Sequence, residues 1–121
     1  MARVLVIEDN PSNMLLAVTL LESAGHTVLM AKDAEVGLML AREGADLILL
    51  DIQLPGIDGL AAAGILKLDP TTSAIPLIAL TALAMKGDEV RIRAAGCDGY
   101  IAKPFRYKDF LATIAATLGA A

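Results

Sequence analysis

The sequence predicts an α/β fold in which helices cover both faces of a parallel β-sheet. Five short apolar runs alternate with segments of helical length and composition, which is the pattern of consecutive βα units. The runs lack alternating polar residues, as is typical of strands that are buried on both faces. Right-handed crossovers between such strands place helices on both sides of the sheet. The 121 residues fit one domain, which we place at residues 1–121.

The predicted strands are short runs of aliphatic and β-branched residues. Each is bounded by polar residues, glycine or proline, and the fifth run is the weakest. In chain order they are residues 4–7, 28–30, 47–50, 76–80 and 99–102.

The segments between the strands predict five helices, at residues 12–24, 33–43, 59–68, 85–95 and 107–118. Ser12 and Asp33 are of the residue types that cap helix N-termini, and Gly25 follows the first helix as a C′ residue would. The last helix should bury the apolar residues that recur at helical spacing, namely Phe110, Leu111, Ile114 and Leu118.

The second helix carries apolar residues on two faces. Ala34, Leu38 and Ala41 form the predicted core stripe, whereas Val36, Met39 and Leu40 fall on the opposite face. The third helix has no charged residue between positions 60 and 66, and mean hydropathy of the chain is +0.63. These apolar faces indicate either a partner-binding surface or an alanine-rich exterior, and both readings stay open.

Composition excludes several classes of function. The net charge of −4 argues against a broad nucleic-acid-binding surface, which requires an excess of basic residues. The chain has no long apolar segment that would span a membrane, and acidic residues interrupt its first apolar run too early for a signal peptide. Cys97 is the single cysteine, so an internal disulfide is impossible and a cytoplasmic location is expected.

Polar side chains follow four of the five predicted strands. Glu8 and Asp9 follow the first, Asp51 the third, Thr81 the fourth and Lys103 the fifth. Ligands of open α/β sheets bind outside the carboxyl ends of the strands. The sequence therefore predicts that three carboxylates, a hydroxyl and an ammonium group converge at one edge of the sheet.

The convergence of three carboxylates predicts a cation site. Their mutual repulsion opposes ionisation, and a divalent cation relieves it. Mg²⁺ prefers oxygen ligands and is usually held by one or two carboxylates together with phosphate oxygens and water. A remaining carboxylate could then attack phosphorus, while Lys103 and Thr81 contact the phosphoryl oxygens. The pattern indicates phosphoryl transfer onto the protein.

Each of these residues also has a simpler interpretation. Asp51 could cap a helix, Glu8 and Asp9 could be surface acids, and Lys103 could be solvated. Two further residues are expected to have no functional role: His26 as a surface turn residue and Cys97 as a small buried hydrophobe. A nucleotide-binding enzyme is excluded by its motifs, since the sequence contains neither GxxxxGK[ST] nor a GxGxxG after the first strand.

Four motifs together resemble the CheY-like receiver domain of two-component response regulators. They are Glu8-Asp9, the segment DIQLPGIDG at residues 51–59, Thr81-Ala82 and Lys103-Pro104-Phe105. The resemblance covers essentially the whole chain and implies a flavodoxin-like, doubly wound sheet of strand order 2-1-3-4-5. It fits both free-standing receivers and the receivers of hybrid histidine kinases.

The resemblance also implies roles for individual residues. Asp51 would be the phosphoacceptor, and Thr81 and Lys103 would contact the phosphoryl group. Asp9, Asp51 and the backbone carbonyl of Gln53 would bind Mg²⁺ directly, with Glu8 acting through water. Tyr100 would be the aromatic switch residue, with core filling as its alternative role, and the peptide before Pro104 would be cis.

The implied function is a reversible phosphorylation signal. The donor would be a sensor histidine kinase or a histidine phosphotransfer protein, and a protein target would read the fourth helix, fifth strand and fifth helix. Gln53 and Leu83 occupy positions that affect hydrolysis in the family, and an apolar Leu83 would make the phosphorylated form comparatively long-lived. We expect a monomer or weak dimer, with no nucleic-acid or membrane partner. A pseudo-receiver that is never phosphorylated is the alternative.

Overall fold

The computed structural model describes residues 2–82 and 86–119, without the side chain of Lys86. Strands and helices alternate along this part of the chain, as predicted. In order they are β1 (Arg3–Ile7), α1 (Pro11–Ser23), β2 (Thr27–Ala31), α2 (Ala34–Glu43), β3 (Leu47–Asp51), α3 (Gly59–Leu68), β4 (Leu77–Thr81), α4 (Lys86–Ala94), β5 (Gly99–Ala102) and α5 (Tyr107–Gly119).

The five strands form one parallel sheet of order β2-β1-β3-β4-β5. The predicted fold class and strand order are confirmed. Strand order reverses between β1 and β3, so their carboxyl ends flank the crevice in which such sheets bind ligands. β1, β3 and β4 are the interior strands, and every residue of β3 and β4 is buried.

Two apolar clusters hold the helices on opposite faces of the sheet. One joins Ile7, Ile48 and Leu50 to residues of α2, α3 and α4. The other joins Val6, Leu49 and Leu80 to α1 and α5, and Phe110 and Ile114 of α5 are fully buried in it. Leu111 and Leu118 are partly buried against this second cluster, so the predicted apolar face of α5 is confirmed.

The predicted cap of the first helix is wrong, whereas that of the second is confirmed. α1 begins at Pro11, and the Asn10 side chain accepts a hydrogen bond from the backbone N–H of Asn13 at 3.0 Å. Proline suits the first helical position because its missing N–H would have no helical partner there. Asp33 caps α2 by accepting from the N–H of Val36 at 2.8 Å.

The two-faced pattern predicted for α2 is only partly correct. Val36 and Leu40 are half-buried against the core, and only Met39 of the three is largely exposed, at 57%. The reason is the close approach of α2 to the sheet at Gly37, where an added methyl group would lie 2.8 Å from Cγ1 of Ile7. A helix this close to the sheet brings the flanks of its core stripe into contact as well.

His26 has a structural contact that the sequence did not predict. Its side chain is half-buried, and Nδ1 accepts a hydrogen bond from the backbone N–H of Ala2 at 3.2 Å. His26 is therefore less exposed than a surface residue, and its expected lack of a functional role stays a prediction. Cys97 is buried, as expected. None of the described helices is long and apolar enough to cross a membrane.

Candidate phosphoryl-transfer site

The carboxyl edge of the sheet brings the predicted polar residues together. Asp51 and Thr81 are the last residues of the neighbouring strands β3 and β4, and Glu8 and Lys103 directly follow β1 and β5. The backbone continues the strand pattern at both following residues: the N–H of Glu8 donates to Ala31 O at 2.9 Å, and that of Lys103 donates to Thr81 O at 2.8 Å. The sheet therefore fixes the backbone position from which each of these side chains extends.

Lys103 forms the electrostatic centre of the site. Its Nζ lies 2.9 Å from Oε1 of Glu8 and 3.0 Å from Oδ2 of Asp51. Both carboxylates are almost completely buried, at 1% and 2% exposure, and the Lys103 side chain is 14% exposed. Burial of charged groups is costly unless they are paired, so these contacts are needed to hold both carboxylates inside the fold.

The remaining carboxylate oxygens contact the loops. Oδ1 of Asp51 accepts a hydrogen bond from the N–H of Gln53 at 2.8 Å, and Oε2 of Glu8 accepts one from the N–H of Asn10 at 3.2 Å. Oε1 of Glu8 is different, because within the part of the chain that the structure describes it makes an ion pair with Lys103 but accepts no hydrogen bond. This buried oxygen therefore has unused capacity to bind a cation or a donor.

The three charged groups shift one another's pKa values. Burial, together with the neighbouring Asp51 side chain, raises the pKa of Glu8 to about 7 against the opposing effects of Lys103 and the Asn10 N–H. Burial alone would raise the pKa of Asp51, but its interactions with Glu8, with the Gln53 N–H and with Lys103 outweigh burial and lower this pKa. Burial likewise opposes charge on Lys103, yet its contacts with both carboxylates raise its pKa. Asp51 is thus the carboxylate held in its charged, nucleophilic form.

Glu8, Asp9 and Asp51 form a cluster that could hold a cation. One carboxylate oxygen from each can be chosen so that all three atoms lie within 4.8 Å of one another. Asp9 is exposed at this edge, whereas the other two are buried. The predicted convergence of three carboxylates is therefore what the structure shows.

The loop between β3 and α3 is fixed by close backbone packing. Asp58 caps α3 by accepting from the N–H of Leu60 at 3.0 Å. A methyl group on Gly59 would lie 2.6 Å from the carbonyl carbon of Ile52 and 2.7 Å from its oxygen. The first turn of α3 therefore lies directly against the residue that follows Asp51.

The side chain of Gln53 makes a contact that sequence reasoning missed. Its Oε1 accepts a hydrogen bond from the backbone N–H of Ala82 at 3.0 Å, which links the loops that follow β3 and β4. For this residue the resemblance implied a backbone carbonyl that would bind Mg²⁺ and a position that affects hydrolysis, but not this contact. No spacing or motif could have revealed the contact, because it depends on the register of two parallel strands.

Thr81 and Tyr100 lie on the same face of the sheet. Tyr100 is paired in register with Ala79, two residues before Thr81, and its half-buried ring packs against the cluster that includes α4. Thr81 is completely buried. The peptide between Lys103 and Pro104 is cis, as the resemblance implied. Leu83, the predicted shield of the site, lies outside the described residues.

Comparison with known proteins identifies relatives of similar sequence. The Brucella anthropi protein named polar-differentiation response regulator DivK is 47% identical over 117 residues, which cover 96% of this chain and 95% of the relative. The DivK protein of Brucella ovis matches over the same length with the same identity.

Solved structures agree with the fold. The receiver domain of the sensor histidine kinase PA1611 from Pseudomonas aeruginosa, with a magnesium ion coordinated in its active site cleft, has a TM-score of 0.89 and 32% identity over 98% of each chain. The chemotaxis protein CheY4 of Vibrio cholerae has a TM-score of 0.90 and 25% identity over 97% of this chain and 98% of that one.

The family match covers most of the chain and includes each of the polar residues at the sheet edge. The model of the response regulator receiver domain matches residues 4–115. It therefore extends from β1 into α5 and contains Glu8, Asp51 and Lys103. With this match and the 47% identity to DivK, the chain belongs to the response regulator receiver domain family.

Proposed function

We propose that residues 1–121 form a receiver domain that accepts a phosphoryl group on Asp51 and uses it as a reversible signal. The observation that carries the proposal is the buried carboxylate of Asp51, which is kept charged by Lys103 and lies beside two further carboxylates. In the reaction, a carboxylate oxygen of Asp51 forms a bond to phosphorus. The P–N bond of a donor phosphohistidine breaks, and its electron pair stays with the imidazole.

Mg²⁺ fits the site and is the proposed cofactor. Among the described residues, three carboxylates cluster beside the Lys103 ammonium group, and Oε1 of buried Glu8 accepts no hydrogen bond. Asp9, Asp51 and the backbone carbonyl of Gln53 would bind the ion, with Glu8 contacting it through water. When bound, Mg²⁺ supplies positive charge that offsets the negative charge of the carboxylates and the incoming phosphoryl group.

The other polar residues have proposed roles in holding the phosphoryl group. Lys103 already touches Asp51, so its ammonium group would remain close to an oxygen of the modified side chain. Thr81 ends the strand next to β3, and its hydroxyl would donate to another phosphoryl oxygen. These groups provide positioning and charge stabilisation, which account for most of the catalysis in phosphoryl transfer.

The proposed donor is a sensor histidine kinase or a histidine phosphotransfer protein in the cytoplasm. The proposed target is a protein that reads the surface formed by α4, β5 and α5. Thr81 and Tyr100 support this choice, because they lie on one face of the sheet beside α4. Movement of the Thr81 hydroxyl towards a phosphoryl group would vacate space for the ring of Tyr100, which is a shift between two packings. We propose a monomer or weak dimer without nucleic-acid or membrane partners.

Phosphorylation by acetyl phosphate tests the central proposal. Intact-protein mass spectrometry should show one added phosphoryl group on the wild type, only when Mg²⁺ is present. Asp51→Asn should show none, whereas the control Asp109→Asn, at an exposed position in the first turn of α5, should react like the wild type. Absence of labelling in the wild type under these conditions would favour the pseudo-receiver alternative, and equal labelling of Asp51→Asn would remove Asp51 as the acceptor.

Amide NMR tests the proposed output surface. Addition of beryllofluoride, which mimics a phosphoryl group, together with Mg²⁺ should shift amides across residues 82–107 as well as those around Asp51. Shifts confined to the neighbourhood of the carboxylates would contradict the switch at Tyr100.

Leu83→Glu tests the proposed long lifetime of the phosphorylated form, because a polar side chain there should change the rate of hydrolysis. An unchanged rate would exclude Leu83 from the hydrolysis step.

A further inference from the structure

Gln53 connects the acceptor carboxylate to the loop that follows β4. Its backbone N–H donates to Oδ1 of Asp51 at 2.8 Å, and its side-chain Oε1 accepts from the N–H of Ala82 at 3.0 Å. One residue therefore contacts both the carboxylate and the residue after Thr81. The side chain is exposed, so it can leave this position without burying an unpaired polar group.

The N–H of Ala82 lies at the same sheet edge as the segment that follows Asp51. Asp51 pairs in register with Leu80, and the N–H of Ile52 donates to Leu80 O at 3.2 Å, so residues 52 and 53 lie beside residues 81 and 82 at the same edge. A phosphoryl group on Asp51 would extend from this edge and carry three strong acceptor oxygens. One of those oxygens and the Gln53 carboxamide would compete for the same donor.

We infer that Gln53 is a positioning residue that holds the loop after β4 in its unmodified conformation, by occupying the Ala82 N–H that a phosphoryl oxygen takes after reaction. The inference rests on the proposed function of Asp51. A charged phosphoryl oxygen is a stronger acceptor than a neutral carboxamide, so phosphorylation displaces the side chain. The hydrogen bond also stabilises the unmodified state, so removing it favours the state that binds a phosphoryl group.

Hydrogen exchange of the Ala82 amide tests the contact itself, in protein without Mg²⁺ or beryllofluoride. Gln53→Met keeps the length of the side chain but removes the acceptor, and exchange should become roughly two- to tenfold faster, which is the range for one net hydrogen bond. Gln53→Glu keeps an acceptor oxygen and should retain the protection. Equal exchange in wild type and Gln53→Met would overturn the inference, as would loss of protection in Gln53→Glu.

Beryllofluoride titration in the presence of Mg²⁺ tests the competition. Gln53→Met should bind beryllofluoride more tightly than the wild type, by roughly the same two- to tenfold factor. Leu68→Met is the control, because Leu68 is 85% exposed at the far end of α3. Unchanged or weaker binding by Gln53→Met would overturn the inference.

The two assays separate this inference from the proposed function. If the wild type is phosphorylated on Asp51 but Gln53→Met binds beryllofluoride with unchanged affinity, only the inference about Gln53 is contradicted. A wild type that neither labels nor binds beryllofluoride contradicts the proposed function and the competition with it. The exchange of the Ala82 amide would then still report whether the side chain of Gln53 holds the loop.

Discussion

Replacing Gly59 with alanine tests how closely α3 approaches the loop that follows Asp51. The added methyl group would lie 2.6 Å from the carbonyl carbon of Ile52 and 2.7 Å from its oxygen. Both distances are far below van der Waals contact, and the obstacle is backbone that cannot change rotamer. Either the start of α3 or the segment after Asp51 must therefore move.

The cost can be worked out from this contact. Overpacking typically costs about 1–3 kcal/mol, and a backbone obstacle belongs in the upper part of that range, at about 2–3 kcal/mol. At about 4 °C for each kcal/mol in a domain of this size, Tm should fall by about 8–12 °C. With a urea m-value of about 2 kcal/mol/M, the unfolding midpoint should fall by about 1–1.5 M.

Gly64→Ala is the matched control in the same helix. Apart from its chain neighbours and the adjacent backbone of α3, no described residue has an atom within 4 Å of a methyl group at this position. Alanine is a better helix former than glycine, so Gly64→Ala should raise the free energy of unfolding by about 0.5–1 kcal/mol. The two substitutions are chemically identical and should act in opposite directions.

Urea unfolding followed by circular dichroism measures both variants, and labelling by acetyl phosphate reports on Asp51. Gly59→Ala should also react more slowly, because displacement of Ile52 moves the neighbouring acceptor out of its contacts. If Gly59→Ala were as stable as wild type, the close approach of α3 would be refuted. Equal stabilisation by both substitutions would show that helix propensity alone decides the outcome.

Three further outcomes are expected. Mg²⁺ at a hundred times its Kd should raise the free energy of unfolding by about 2.7 kcal/mol, and Asp9→Asn should remove most of this effect in thermal unfolding. Nζ of Lys67 lies 3.2 Å from Oδ2 of Asp98 and donates to the backbone oxygen of Ile75 at 3.0 Å. Lys67→Met should therefore cost about 1 kcal/mol in urea unfolding, and an unchanged midpoint would contradict this role. Burial raises the pKa of Cys97 to about 11, so its reaction with a thiol reagent in the folded protein should still be accelerating between pH 9 and 10; a plateau below pH 9 would be inconsistent with that pKa.

The elements could be predicted because the interior strands are buried on both faces. Runs such as residues 47–50 then contain only apolar residues, and their boundaries stand out against the polar residues that follow. The same logic located Asp51 and Thr81, since a residue that ends a buried parallel strand must lie at the carboxyl edge of the sheet. Residue type at strand ends was sufficient to predict the carboxylate cluster.

The failures have a different physical origin. The cap of α1 was misplaced because Ser12 and Asn10 are both good caps, and the choice depended on Pro11. The exposed face of α2 was overestimated because helical periodicity does not report how close a helix lies to its sheet. Gly37 set that distance here.

Contacts between separate loops also could not be predicted from the sequence. Gln53 and Ala82 are far apart in the chain, and their hydrogen bond depends on the conformations of two loops. His26 was missed for a similar reason, because its partner is the backbone of Ala2 in a distant segment. When a side chain forms a hydrogen bond with backbone, its partner can be almost any residue type. The sequence therefore holds no complementary residue that would indicate the contact.

The ion pairs that Lys103 makes across the sheet have a consequence for folding during synthesis of the chain. This one ammonium group connects the residue after the edge strand β5 to Glu8 after β1, with β3 and β4 between them. On a ribosome, the first four strands would emerge before the lysine that completes the charge balance of the site. A partly synthesised chain would therefore expose uncompensated carboxylates and could not assemble the ion pairs described above. The ion pairs of Lys103 can form only after β5 has joined the sheet. Their formation therefore reports that all five strands are in place.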